Sequence, residues 1–160
     1  MDTHPLAKII KKLLTPMNVS FLGVFSRDQQ PSLTRINSIA PCAYVVNTDP
    51  SSLPGSHWVA FFHPHPNIIY FFDSFGRAPT ELGFNFPTNC TIRFNPYLIQ
   101  SLTSRCCGQY CIYFLFLTAS HAPVKSMLFS LSKLHAIKAD KIVREFIHRV
   151  LRMSGIKNKC

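Results

Sequence analysis

The stretch Ser104-Arg105-Cys106-Cys107-Gly108-Gln109-Tyr110-Cys111 runs straight into Ile112-Tyr113-Phe114-Leu115-Phe116-Leu117 and ends in Thr118-Ala119-Ser120. Its second half is apolar on every side, the pattern of a helix buried in the middle of a domain. It is too short to cross a bilayer, which takes about 20 apolar residues. A cysteine followed by glycine at the mouth of such a helix meets unpaired backbone N–H groups and the positive end of the helix dipole, and both stabilise a thiolate. Cys107 is therefore a candidate nucleophile. The competing reading is a small buried thiol at a helix start, the common fate of free cysteine.

Outward from this helix, the totals set limits. A chain of 160 residues fits one domain over 1–160, long enough to bury roughly two thirds of its unfolded surface. With 47% hydrophobic residues and 14 Phe, it reads as a packed globule and not as a disordered chain. Met1-Asp2-Thr3-His4-Pro5 leads into a Lys-studded amphipathic segment and lacks the apolar run of a signal peptide. The six cysteines are thus expected to be mostly reduced, and the protein intracellular and not secreted. Cys106, Cys107 and Cys111 cluster, and His63, His65 and His121 stand elsewhere, but the spacing fits no structural zinc pattern. No metal or organic cofactor is expected. Seventeen Lys and Arg against seven Asp and Glu give a formal net charge of +10, which favours a polyanionic partner, nucleic acid first.

From Pro5 to Leu14, Leu6, Ile9, Ile10, Leu13 and Leu14 form one stripe with Lys8, Lys11 and Lys12 outside it, an amphipathic helix stopped by Pro16. Val19 to Phe25 reads as a strand, Ser26 to Pro31 as a polar turn, Cys42 to Asn47 as a β-rich run and Thr48 to Gly55 as a loop. Ser56 to Phe62 and Ile68 to Asp73 are rich in aromatic and β-branched residues and flank the proline-punctuated turn His63-Pro64-His65-Pro66-Asn67, which makes a hairpin. With a loop of Pro64 to Pro66, His57 lies opposite Asp73; a loop one residue longer sets Trp58 there instead. Directly opposed side chains share a face with Cβ atoms roughly 5 Å apart.

A histidine beside a carboxylate at the open end of a hairpin is the base and orienter that thiol catalysis needs. Each residue also has a plainer reading: His57 as a polar rim residue, Asp73 as the start of a turn through Ser74-Phe75-Gly76. Trp58 reads as a core aromatic on the opposite face and as a pocket candidate. His63 and His65 are assigned to the turn. A short strand is expected near Thr91 to Phe94. Gln100 stands seven positions ahead of Cys107, and its side-chain N–H with the backbone N–H of Cys107 would make an oxyanion hole. Two amphipathic helices close the chain, Ala122 to Lys133 and Ala139 to Met153. In the second, Ile142, Val143, Phe146, Ile147 and Val150 face inward, while Lys138, Lys141, Arg144, His148, Arg149 and Arg152 line the outside, with Lys157 and Lys159 in the tail. Such a stripe suits phosphates in a sequence-independent way, and it is also what a solvated face looks like.

As an ordered set, Gly55-Ser56-His57-Trp58, then Phe71-Phe72-Asp73-Ser74-Phe75-Gly76, then Gln100, then Cys107-Gly108-Gln109-Tyr110-Cys111 resembles the adenovirus-type cysteine proteases, which share their fold with the proteases of ubiquitin-like proteins. Phe21 to Phe25 and Cys42 to Thr48 look like the family's N-terminal segments, so the resemblance spans about residues 6 to 120. It implies an α+β fold of papain-like geometry in circularly permuted order, a mixed sheet against the nucleophile helix with further helices at both termini. It also implies Cys107 as nucleophile, His57 as base, Asp73 as orienter and Gln100 as oxyanion donor, with cleavage after small, Gly-type residues. In the adenovirus family the enzyme matures capsid precursors in the virion and host nucleus, and is stimulated by DNA and by a short peptide disulfide-linked to a cysteine. Cys90 is the nearest equivalent of that cysteine, one position closer to Gln100 than in the family pattern. A monomer with a protein substrate is expected, with no membrane partner. The alternatives are a deconjugating protease for ubiquitin-like modifiers, and a basic DNA-binding structural protein on an inactive protease fold.

Overall fold

In the computed structural model, which describes residues 3–155, five strands form one mixed sheet in the order β1-β2-β3-β4-β5. They are β1 (Ser20–Ser26), β2 (Cys42–Asn47), β3 (Trp58–His63), β4 (Ile68–Phe72) and β5 (Thr91–Phe94). β1 runs parallel to β2 and β4 parallel to β5, while β3 runs antiparallel to both β2 and β4. The helices are α1 (Thr3–Leu14), α2 (Leu33–Ser38), α3 (Cys107–Ala119), α4 (Val124–Ser132) and α5 (Ala136–Met153). The fold is thus α+β, with β2 to β5 following one another without an intervening α-helix and α3 to α5 gathered after them.

Both faces of the sheet are covered, which is why β2 and most of β3 read as unbroken apolar runs. On one face Ala60, Phe62 and Phe72 join the buried side chains of α3, with the inner stripes of α1 and α5 packed around them. Phe114 of α3 stacks on Phe72 with ring centroids 4.8 Å apart. Because α3 has strands on one side and α1 and α5 on others, no flank of it is free for polar residues. The opposite face carries Tyr44, Phe61, Phe71 and Phe84, closed by Ile36 of α2. That helix went unforeseen; it is one and a half turns long and is started by Ser32, whose side chain accepts from the Arg35 N–H at 3.3 Å.

The hairpin register differs from both expected alternatives. Ala60 pairs with Phe72 and Phe61 with Phe71, so the connection sits one residue further along than Pro64 to Pro66 predicts, and His57 falls opposite Phe75 when the register is continued. Asn67, with φ of 60°, supplies the left-handed residue that closes the turn. His63 belongs to β3 and is fully buried, where a place in the turn was expected. At the C-terminal end α4 begins at Val124, since His121 has φ of 56° and Pro123 lacks a donor. In α5 the buried positions are Ala139, Asp140, Val143, Ile147, Val150 and Leu151, and Ile142 lies toward solvent, 36% exposed, against the expected inward placement. Lys157 and Lys159 lie outside the described residues. Among those described, no helix is long and apolar enough to cross a membrane.

Candidate active site

Three loops at one end of the sheet bring the predicted residues together. His57 precedes β3, at the close of the Thr48 to Ser56 loop. That loop is gathered around buried Asn47, whose Oδ1 accepts from the N–H groups of Asp49 at 2.9 Å and Ser56 at 3.3 Å. The Thr48 N–H donates to the His57 carbonyl at 2.9 Å. Gly55 has φ of +90°, and a Cβ there would sit 2.3 Å from the Asn47 amide nitrogen, so only glycine fits beside the residue that organises the loop.

Asp73 follows the last residue of β4 and is both things the sequence suggested. It starts a turn, with the Phe75 N–H 3.1 Å from Oδ1 and the Gly76 N–H 3.0 Å from its carbonyl oxygen. It also meets His57: Nε2 of the ring is 2.6 Å from Oδ1, with both side chains buried. Although the register makes the two residues diagonal neighbours, both lie just beyond the strand ends, where the chain bends them together. On Oδ2 the carboxylate accepts from Nε of Arg77 at 2.7 Å and from the Arg77 backbone N–H at 3.3 Å. Burial pushes the Asp73 carboxyl up, but the bonds from His57 and Arg77 more than offset this and hold it below its ordinary range.

Phe75 packs against both partners. Its ring stacks on His57 with centroids 4.7 Å apart, and the Arg77 guanidinium carbon lies 5.3 Å from its centroid. Burial lowers the His57 pKa, yet hydrogen bonds to Asp73 and to Cys107 raise it on balance. Cys107 is the first residue of α3 and is half-buried. Burial pushes its thiol up; the His57 ring and the backbone N–H groups of Trp58 and Gly108 pull it down, and the thiol ends below its ordinary range. The paired shifts favour a thiolate facing an imidazolium. Cys106 and Cys111, its buried neighbours, are pushed the other way, first by burial.

Gln100 is 2% exposed, in the loop ahead of α3, with Nε2 donating to the Ser104 carbonyl at 3.0 Å. This loop is pinned by buried Asp140 of α5, whose Oδ1 accepts from the Ser101 N–H at 3.3 Å and lies 3.0 Å from the Tyr110 hydroxyl. Trp58 is half-buried against the α3 face of the sheet, and its backbone N–H is among the groups that lower the Cys107 thiol. Cys90 is a free, half-buried thiol just before β5. Thr91 is level with Ile68, the first residue of β4, so Cys90 lies at the end of the sheet away from Asp73, roughly 17 Å along the strand. Lys138, Lys141, Arg144, Arg149 and Arg152 are all exposed on α5, with Lys141 3.9 Å from Glu145.

Arg77, Phe75 and Asn95 are the site residues that the sequence reading missed. The signal for Arg77 was its place four residues after Asp73. Asn95 is buried and donates through Nδ2 to the carbonyls of Asp73 and Tyr97, both at 2.9 Å, which joins the acid's turn to the next loop; nothing local in the sequence marks it. Among the described residues, no three His, Cys, Asp or Glu side chains converge as a metal-binding group. A groove of about 560 Å³ opens between the β4–β5 edge and the α3–α4 corner, lined by Tyr70, Arg93, Tyr97, His121 and Lys125 among others, and includes none of His57, Asp73, Gln100 or Cys107.

No family model matches the chain. Over 126 residues, 67% of this chain and 61% of the relative, it is 25% identical to the Protease of Ovine adenovirus D serotype 7 (isolate OAV287). With the same coverage it is 28% identical to the Protease of Bovine adenovirus 4. The chain therefore spans about three fifths of the length of the curated relatives it matches, and its resemblance is to adenovirus proteases.

Proposed function

We propose that this chain is a cysteine-type viral endopeptidase with papain-like geometry in permuted chain order, acting through Cys107, His57, Asp73 and Gln100. The observation that carries the reading is the buried 2.6 Å contact between His57 Nε2 and Asp73 Oδ1 beside the half-buried thiol that opens α3. With Nε2 committed to the carboxylate, Nδ1 is the nitrogen left for the sulfur. The Cys107 thiolate attacks the scissile carbonyl carbon; a C–S bond forms as the carbonyl π pair moves to oxygen, where the Cys107 N–H and the Gln100 amide receive it. The imidazolium of His57 gives its proton to the departing amine as the C–N bond breaks. A water then loses a proton to His57 and attacks the acyl-thiol, and the thiolate leaves to restore the ion pair. Asp73 keeps the ring in one orientation and stabilises its charged form throughout.

The adenoviral relatives make capsid precursors cut after Gly-type residues the proposed substrates, in the virion and host nucleus. The exposed cations of α5 extend the proposal to DNA, and half-buried Cys90 offers a thiol for a short disulfide-linked activating peptide. Purified protein is tested against capsid-like Gly-X peptides and against a reporter fused to a modifier ending in Gly-Gly, comparing kcat/KM. The expected result is a preference for the peptides, with Cys107→Ser losing at least about 10³-fold. A preference for the modifier fusion assigns the machinery to deconjugation instead. Cleavage that survives Cys107→Ser contradicts the cysteine mechanism.

A further inference from the structure

Besides Asn95, a second buried side chain links the turn after β4 to the loop ahead of α3. Ser74 is fully buried, its hydroxyl donates to Gln100 Oε1 at 2.7 Å, and its carbonyl oxygen accepts from the N–H groups of Ile99 at 2.9 Å and Gln100 at 3.2 Å. The far end of the amide is fixed as well, because Nε2 donates to the Ser104 carbonyl at 3.0 Å. A carbonyl only accepts, so a flipped amide would set two acceptors against each other at Ser104. With Oε1 held by Ser74 and one N–H held by Ser104, a single amide N–H stays uncommitted.

We infer that Ser74 is the positioning residue for the Gln100 side chain: its hydroxyl holds the amide oxygen back and keeps the free N–H aligned as an oxyanion donor. This rests on the reading of Gln100 as that donor. Ser74 follows Asp73 directly, so one turn orients the imidazole with its first residue and the oxyanion donor with its second. Removing the hydroxyl leaves Oε1 buried without a donor, and the amide is then held at one end only. Full loss of an oxyanion donor lowers kcat by about 10²–10³-fold; a donor present but loosely aimed forfeits part of that.

The test is a double-mutant cycle of Ser74→Ala and Gln100→Ala, with peptide turnover, Cys107 alkylation by iodoacetamide and the side-chain amide NMR signals of Gln100 all measured. Expected for Ser74→Ala is a kcat roughly tenfold lower with KM within about twofold, and little further loss when it is added to Gln100→Ala. Alkylation is a displacement at carbon that develops no oxyanion, so its rate and pH profile stay as in the unaltered protein. The Gln100 amide signals, assigned by their absence in Gln100→Ala, shift and exchange faster with water in Ser74→Ala. Equal losses in both Gln100 backgrounds, a parallel fall in alkylation, or unmoved amide signals would each overturn the inference. Should the unaltered protein cleave no peptide, the peptidase reading fails by itself, and the NMR comparison still decides whether Ser74 orients Gln100.

Discussion

Asp73 stays ionised in a fully buried position because four donors surround it, and two of them belong to Arg77. Its folded pKa is depressed, so the stability it contributes is present above the unfolded carboxyl value of about 3.9 and is lost as pH falls through the lower folded value. His63 behaves differently. It is fully buried, neither ring nitrogen has a hydrogen-bond partner in the protein, and burial pushes its pKa down to about 4. Below the unfolded value of about 6.5 the unfolded chain takes up the proton first, so this residue destabilises the fold between there and pH 4. Relative to His63→Leu, the unaltered protein should lose about 2 kcal/mol between pH 7.5 and pH 5, read as a melting-temperature gap that widens by roughly 4–8 °C. A gap independent of pH would contradict this account of His63. At this scale the sequence was partly legible: His57 and Asp73 were readable from type and place, whereas the burial of His63 depended on a register that a turn with two prolines leaves ambiguous.

At the scale of elements, the site is assembled by loops at strand and helix ends, and the elements themselves were the legible part. The inner stripe of α1 and the apolar α3 stand where the sequence places them, and both strands of the hairpin form, the first shifted from Ser56–Phe62 to Trp58–His63. α2 was missed because six residues are too few to show a helical period, and only the Ser32 cap marks it. The clamp between the Asp73 turn and the loop before α3 was illegible for another reason: it joins segments about 22 residues apart through Asn95 and through a glycine. Gly76 has φ of +75°, and a Cβ there would lie 2.6 Å from the Tyr97 carbonyl carbon. Gly76→Ala should therefore push the two loops apart, costing about 1–3 kcal/mol in denaturant unfolding and lowering kcat more than KM rises. Unchanged stability and turnover would show that the clamp is dispensable.

For the whole molecule, the cationic face of α5 runs up to the loop beside the candidate site, since Asp140 of the same helix accepts from the Ser101 N–H at 3.3 Å and Arg144 lies near enough to Cys106 to lower its thiol. The formal net charge of +10 includes the outer face of α5, whose inner face is packed into the core beside α3. Charge reversal at Arg144, Arg149 and Arg152 should weaken DNA binding uniformly across sequences and reduce the salt dependence by about one phosphate contact per residue. Unaltered DNA affinity after the triple reversal would leave α5 a solvated face. Composition raised a polyanionic partner, and the helical period of α5 alone set Lys138, Lys141, Arg144, Arg149 and Arg152 on its outer face, where they stand exposed.

The proposed chemistry needs the imidazole of His57 to hold the sulfur of Cys107 as a thiolate, and alkylation of Cys107 by iodoacetamide as a function of pH reads that coupling. The thiol is depressed and the imidazole raised, so reaction should set in below the unperturbed thiol value of about 8.5, and His57→Ala should move the onset up toward that value. An onset near 8.5 in the unaltered protein, or one that His57→Ala leaves in place, would contradict it.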